Sequence, residues 1–233
     1  MKAATIFLSL PAPLLGLRGG WLGSAARPAA LARSRLADAA PAARMCSAPP
    51  AEDEAPPKFS TLDVRVGRIV EAWAHPDSEK LFCERIDVGE AQPREIASGL
   101  RAHYKLEQLA DRLVLVVCNL KPAKLAGFES NGMVFCASSA DKGKVEFVDP
   151  PEGAQPGARV LALAEAAAPP ADVEPASSNQ MKKKKLLEKM SAGLRTDAGR
   201  VATYLGEPLV VRLDEDGTTG QCTAPTVAGG SIS

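Results

Sequence analysis

The sequence is poor in histidine, in aromatic side chains and in net charge. Its 233 residues hold two histidines and 4% aromatics, and 28 Lys plus Arg balance 28 Asp plus Glu. A formal charge of zero argues against a protein that draws a polyanion by bulk attraction. No run approaches the ~18–20 apolar residues that a membrane-spanning helix needs, so no membrane partner is expected. The five cysteines, Cys46, Cys83, Cys118, Cys136 and Cys222, form no C-x-x-C pair and are odd in number. That excludes a zinc ribbon or a disulfide scaffold and favours a reducing compartment. His75 and His103 sit in turn or loop context. No G-x-S-x-G, P-loop, dinucleotide fingerprint or H-E-x-x-H occurs. No catalytic residue, metal or cofactor is therefore expected, and the chain reads as a non-enzyme. The 45% of hydrophobic residues is still that of a globular chain with a real core.

The zero charge is a sum over unlike parts. Residues 1–50 carry six basic groups and one acid, a surplus of five, and Glu52, Asp53 and Glu54 then reverse it. Residues 58–165 hold 14 basic and 16 acidic groups, and residues 166–233 hold eight of each. Residues 1–57 contain 16 alanines with Pro, Gly, Ser and spaced Arg. An arginine-bearing, serine-containing, acid-poor segment has the composition of an organelle transit peptide. We therefore expect residues 1–57 to be a disordered targeting leader and linker that delivers the chain to plastid or mitochondrion. A disordered tail on a cytoplasmic protein is the alternative.

Residues 58–165 read as closed β structure. Leu62–Trp73 alternates apolar and polar residues, and Gly67 interrupts the period as a bulge or bend would. His75-Pro76-Asp77 is a turn. Leu81–Val88 and Arg94–Ala97 are further strands, Tyr104–Ala110 has helix-forming composition, and Leu113–Cys118 is a continuous apolar run typical of a fully buried strand. Met133–Ala137 and Val145–Val148 follow. Five or more short strands around one mid-chain helix indicate a small five-stranded barrel. Residues 166–233 contain one basic helix, Met181–Met190, and strands at Val201–Tyr204, Leu209–Leu213 and Gln221–Thr226. So few apolar positions make a weak independent core, and this segment is expected to pack on the barrel.

Small barrels of this kind bind oligonucleotides on one face and its bordering loops. Lys121 and Lys124, with Asn119, lie on the loop that leaves the buried strand. Lys80, Arg94, Arg101 and Lys105 lie near strand ends or connections. Cations supply phosphate contacts, while Ser and Asn hold sugar and phosphate in register. The run Lys182, Lys183, Lys184 and Lys185 can track a phosphate backbone or can simply be a solvated helix face.

Three ordered motifs sharpen this reading: His75-Pro76-Asp77-Ser78-Glu79-Lys80-Leu81, Arg94-Glu95-Ile96-Ala97-Ser98-Gly99-Leu100, and Asn119-Leu120-Lys121-Pro122-Ala123-Lys124-Leu125-Ala126-Gly127. With Ser130-Asn131-Gly132-Met133 they resemble the tRNA-binding OB-fold family. The downstream Val201-Ala202-Thr203-Tyr204-Leu205-Gly206 resembles its endothelial monocyte-activating polypeptide II branch. The resemblance implies an all-β-dominated chain, with a five-stranded OB-fold barrel and a short C-terminal α+β extension packed on it. It implies tRNA held by shape and backbone, an aminoacyl-tRNA synthetase as partner, and a monomer whose extension imitates a second subunit's interface. By motif position it assigns tRNA binding to Lys80, Arg94, Ser98, Arg101, Asn119, Lys121, Lys124, Ser130 and Met133. The lysine-rich helix extends the match. The alternatives are a module that docks a synthetase without tRNA and, more remotely, a secreted cytokine-like factor.

Overall fold

Alternation along the first long strand decides what each of its faces covers. A computed structural model describes residues 55–167, 174–213 and 217–233. All but the last three residues of the expected leader lie outside that range. Strand β1, Val64–Ala74, pairs antiparallel with β4, Leu113–Val117, through its first half and with β2, Phe82–Asp87, through its second. Val64 and Val66 lie on one face, and Ile69 belongs to the barrel interior. The β1–β2 register shifts between Ile69 and Glu71, and Val70 is left 52% exposed. This one-residue bulge changes the phase of the strand. Ala72 then packs against the barrel core, and Trp73 turns outward.

The bulge therefore lies beyond Gly67, where the sequence suggested it. Gly67 faces the interior, and a Cβ there would stand 2.6 Å from Ile86 Cγ2 and 3.1 Å from Val116 Cγ2. Glycine is needed at this point for close approach, not for a bend.

Strand β2 pairs with β3, Arg94–Ser98, and β4 pairs with β7, Met133–Val134. The circle closes where the Asn131 amide donates to Glu95 O at 2.8 Å and the Ala97 amide donates to Ser130 Oγ at 3.1 Å. Inside lie Phe82, Ile86, Ile96, Val114, Val116 and Val134. The mid-chain helix expected over Tyr104–Ala110 shrinks to a single 3-10 turn, Leu106–Gln108. Its reach is limited because Asp111 takes a left-handed φ of 58° and its amide donates to Ile69 O, tying the chain to the β1 bulge. A hairpin unmarked in the sequence, β5 Ala123–Leu125 and β6 Phe128–Ser130, fills the connection between β4 and β7.

Strands β8 Cys136–Ser138 and β9 Val145–Phe147 carry the barrel into the C-terminal sheet. That sheet runs through β10 Val160–Ala162, β11 Leu194–Thr196, β12 Ala202–Tyr204, β13 Glu207–Arg212 and β14 Thr219–Gln221. The last strand, β15 Ser231–Ile232, pairs with both β11 and β8 and joins extension to barrel. The four-residue helix α1, Leu163–Ala166, follows β10.

The extension has no separate large core. Leu115, Val117 and Phe135 from the barrel mix with Met190, Leu194, Leu209, Val211, Cys222 and Ile232. This explains the unbroken apolar run at Leu113–Cys118. Val114 and Val116 face the barrel interior, while Leu115 and Val117 face the extension. A strand covered on both sides has no polar face to display.

The expected single helix Met181–Met190 is two helices, α2 Ser178–Lys184 and α3 Leu186–Ser191. Ser177 opens α2 with a reciprocal cap: its Oγ accepts from the Gln180 amide, and Gln180 Oε1 accepts from the Ser177 amide at 2.8 Å. Lys185 breaks the run with φ 49° and ψ 43°. The reason is geometric. At about 100° per residue, Leu186 and Met190 would stand roughly 140° and 180° round a straight helix from Met181. The break lets all three enter one core.

Candidate nucleic-acid interface

The end of the barrel beyond the β1 bulge is built from a turn, a hairpin and a strand end. In the turn, the His75 amide donates to Leu81 O at 3.0 Å, and His75 Nδ1 accepts from the Asp77 amide at 3.0 Å. Arg101 Nη1 donates to Ser78 O at 2.9 Å, so Lys80 and Arg101 share this turn. The hairpin pairs Lys124 with Glu129 and Leu125 with Phe128. Its two-residue turn needs positive φ twice, and Ala126 at 49° and Gly127 at 91° supply it.

Aromatic rings join the two loops. The Phe128 ring lies 6.0 Å from Trp73 and 6.2 Å from His75, edge-on to both. The Arg85 guanidinium lies 5.5 Å over the Trp73 ring and is itself held by Glu71 at 2.7 Å and Glu95 at 3.2 Å. Lys80 and Arg101 on the turn and Lys124 on the hairpin are exposed, as is Lys121 on the segment that leads into the hairpin, and none carries an ion pair among the described residues.

The other residues assigned by motif position hold the structure together. Arg94 grips Glu90 through two bonds and donates from Nη1 to Cys118 O at 2.6 Å and Asn131 O at 3.0 Å. Its hydrogen bond to Arg94 holds the Glu90 carboxyl below its ordinary range. Ser130 Oγ accepts from the Ala97 amide and donates to Gly132 O in the barrel closure. Met133 pairs across from Val117 and packs against the core shared with the extension. Ser98 is buried and donates to Glu84 Oε1 at 2.5 Å. Burial pushes the Glu84 carboxyl up to about 7, with the Ser98 bond pulling the other way. The sequence did not separate these buried side chains from the exposed cations because their partners are distant in the chain.

Asn119 also has a structural task. Its Nδ2 donates to Thr61 O and Ala176 O, both at 2.9 Å. It thus fastens the root of the Lys121 loop to the chain just before the lysine-rich helices. A groove of about 1160 Å³ opens there, lined by Pro57, Thr61, Ala176, Lys183, Lys184 and Lys185. Lys182, Lys183, Lys184 and Lys185 are all exposed. The buried thiols Cys118, Cys136 and Cys222 are pushed up to about 12 by burial, which leaves them unreactive core groups.

Sequence reasoning missed Trp73, Arg85 and Phe128. The bulge at Val70 was the missing signal, since it alone decides which way Trp73 faces.

A small OB-type barrel, with cations and rings gathered between its first connecting turn and its hairpin, has the build of an oligonucleotide-binding module. Residues 64–159 match the family described as "Putative tRNA binding domain". The chain is 42% identical over 189 residues to aminoacyl tRNA synthase complex-interacting multifunctional protein 1 of Cricetulus griseus, covering 81% of this chain and 49% of that protein. It is 42% identical over 184 residues to the cytoplasmic tyrosine–tRNA ligase of Danio rerio, covering 78% of this chain and 32% of the ligase. The crystal structure of the C-terminal domain of Plasmodium vivax p43 superposes with a TM-score of 0.64 at 31% identity, covering 75% of this chain and 98% of that one. The chain belongs to the tRNA-binding domain family, on its polypeptide II-like branch. It spans about half the length of the first of these relatives and about a third of the second. Among the described residues no helix is long and apolar enough to cross a membrane.

Proposed function

We propose that this chain is a non-catalytic tRNA-binding protein that holds tRNA by shape and backbone and serves an aminoacyl-tRNA synthetase. The observation that carries the reading is the gathering of Lys80, Arg101 and the Lys121–Lys124 segment at one end of a tRNA-binding family barrel. Exposed lysines and arginines neutralise phosphates and release counterions. Arg94, Ser98, Asn119, Ser130 and Met133 act by keeping those cations in place. Lys182, Lys183, Lys184 and Lys185 extend the contact, because Asn119 ties their segment to the Lys121 loop. Bound beside a synthetase, such a module raises the local concentration of tRNA for its partner.

A gel-shift titration over a range of salt tests this. Replacing Lys121 and Lys124 together by Ala weakens binding across all tRNAs and flattens the salt slope by about 1.4–1.8. Unchanged affinity and slope overturn the site. A synthetase captured in a ribonuclease-resistant way, with no tRNA shift near ~100 mM salt, would favour the protein-docking alternative.

Two further parts of the proposal have their own tests. The acid-poor, arginine-bearing composition of residues 1–57 supports delivery to plastid or mitochondrion, where a reporter fused to them accumulates; a diffuse cytosolic signal overturns that. The covered outer face of β1 and β4 supports a monomer, which sedimentation reads directly.

A further inference from the structure

We infer that Trp73 and Phe128 form a stacking site for an unpaired nucleobase, set among the cations that hold its phosphates. The inference rests on the nucleic-acid reading of this barrel end and adds a base contact to a surface otherwise read as sensing backbone and shape. Aromatics are scarce, and most are spent on packing. Phe59, Phe82, Phe135, Phe147 and Tyr204 are at most 5% exposed. Tyr104 packs on Phe147, and its hydroxyl accepts from the Phe147 amide. Among the described aromatics that leaves Trp73 and Phe128 partly open, meeting each other edge-on outside the core.

Their setting suits a base. The bulge after Ile69 turns Trp73 out of the barrel. The Arg85 guanidinium stands 5.5 Å from the centre of the Trp73 ring, and its charge is matched by Glu71 and Glu95, so it adds little surplus charge beside the indole. Lys80 and Arg101 stand on the turn whose His75 touches Phe128, and Lys124 stands on the hairpin that carries Phe128. A ring flanked by cations on two connecting loops is the arrangement that binds single-stranded RNA, because every base has a face to stack.

Fluorescence of the full-length chain in a Trp21→Phe background, which leaves Trp73 as its sole indole, tests the inference. The probes are a single-stranded oligouridylate and inorganic polyphosphate of similar charge. The oligonucleotide quenches Trp73 emission and polyphosphate does not. Trp73→Leu weakens oligonucleotide binding by about tenfold with the salt slope unchanged, and Trp73→Tyr restores most of it. Equal quenching by both probes, or a neutral Trp73→Leu that keeps its melting temperature, overturns the stacking site. If Trp73→Leu does not fold, the quenching comparison on the parent chain decides alone. Failure of the wider reading looks different: the parent chain then binds neither tRNA nor oligonucleotide.

Discussion

The two halves of β1 face different worlds. Val64 and Val66, in its first half, are fully buried beneath the extension, while its second half carries Trp73 to an open surface of rings and cations. A single bulge separates them. The dry half supplies stability and the open half supplies binding, so changes on one side should leave the other property almost untouched. That separation follows from how the surfaces are built. Burial in a shared core is lost to a cavity, whereas an exposed cation has little packing to lose.

The largest expected effect breaks the dry side. Leu115 is fully buried on β4 and points into the core shared with the extension. Leu115→Ala should cost about 2–5 kcal/mol in urea denaturation. RNA affinity of the folded fraction should stay within about twofold, since Trp73, Lys80 and Arg101 lie at or beyond the opposite end of β1. A large loss of affinity at full folding would show that the two halves are coupled.

Two buried glutamates sharpen the contrast, because they respond to pH with opposite sign. Glu146 lies at the seam between barrel and extension. Burial alone would raise its carboxyl, but bonds from Lys144, from the Thr226 hydroxyl and from the Thr226 and Val227 amides pull it down to about 2. Its contribution is present above an ordinary value near 4.5 and is lost as pH falls towards about 2. Glu84, inside the barrel, has one partner, Ser98, and its Oε2 is buried without another among the described residues. Its carboxyl, raised to about 7, favours the folded state below 4.5 and loses that contribution as pH rises to about 7. Either displacement is worth on the order of 3 kcal/mol. Glu146→Gln should destabilise at pH 7 by about 2–3 kcal/mol, because its carbonyl oxygen can keep the two backbone donors but its amide nitrogen then faces the Lys144 ammonium with no charge to match it. Glu84→Gln should instead gain about 1–2 kcal/mol at pH 8 and none at pH 4. Denaturation curves at several pH values check both, and a shared sign would refute the contrast.

Much of this division was legible in the sequence, and the parts that were not have physical reasons. Alternation placed strands at 64–74 and 82–87 within one or two residues, because polar side chains recur along one face of each, and the Ser98-Gly99 stop marked the end of the strand at 94–98. The run Leu113–Cys118 announced cover on both sides. The β5–β6 hairpin stayed hidden because Ala123, Lys124 and Leu125 are all exposed and its turn, Ala126-Gly127, lacks the usual Asn-Gly signature. The helix pair read as one because a left-handed lysine leaves no mark in composition. At the site, the exposed cations were readable as such. Arg94 was not distinguishable from them, since its acceptors Cys118 O and Asn131 O lie 24 and 37 positions away. Trp73 was invisible for a similar reason: its direction depends on a register shift between two strands, which no single stretch of sequence records.

The smallest effect tests the open side. Lys124 is exposed on the hairpin and holds no ion pair among the described residues. Lys124→Ala should leave stability within about 0.5 kcal/mol. It should weaken tRNA binding a fewfold and lower the salt slope by about 0.7–0.9, the signature of one lost phosphate contact. Lys183→Ala provides the matched measurement on the groove beside α2. An equal slope change means that one RNA spans hairpin and groove, as the Asn119 bridge to Ala176 suggests. A change for Lys124 alone confines the RNA to the barrel end and leaves the lysine run as a solvated helix face. Either result keeps the open half of β1 as the binding half. An effect on stability without one on affinity would invert the assignment, because an exposed lysine that stabilises the fold must be holding the hairpin instead of a phosphate.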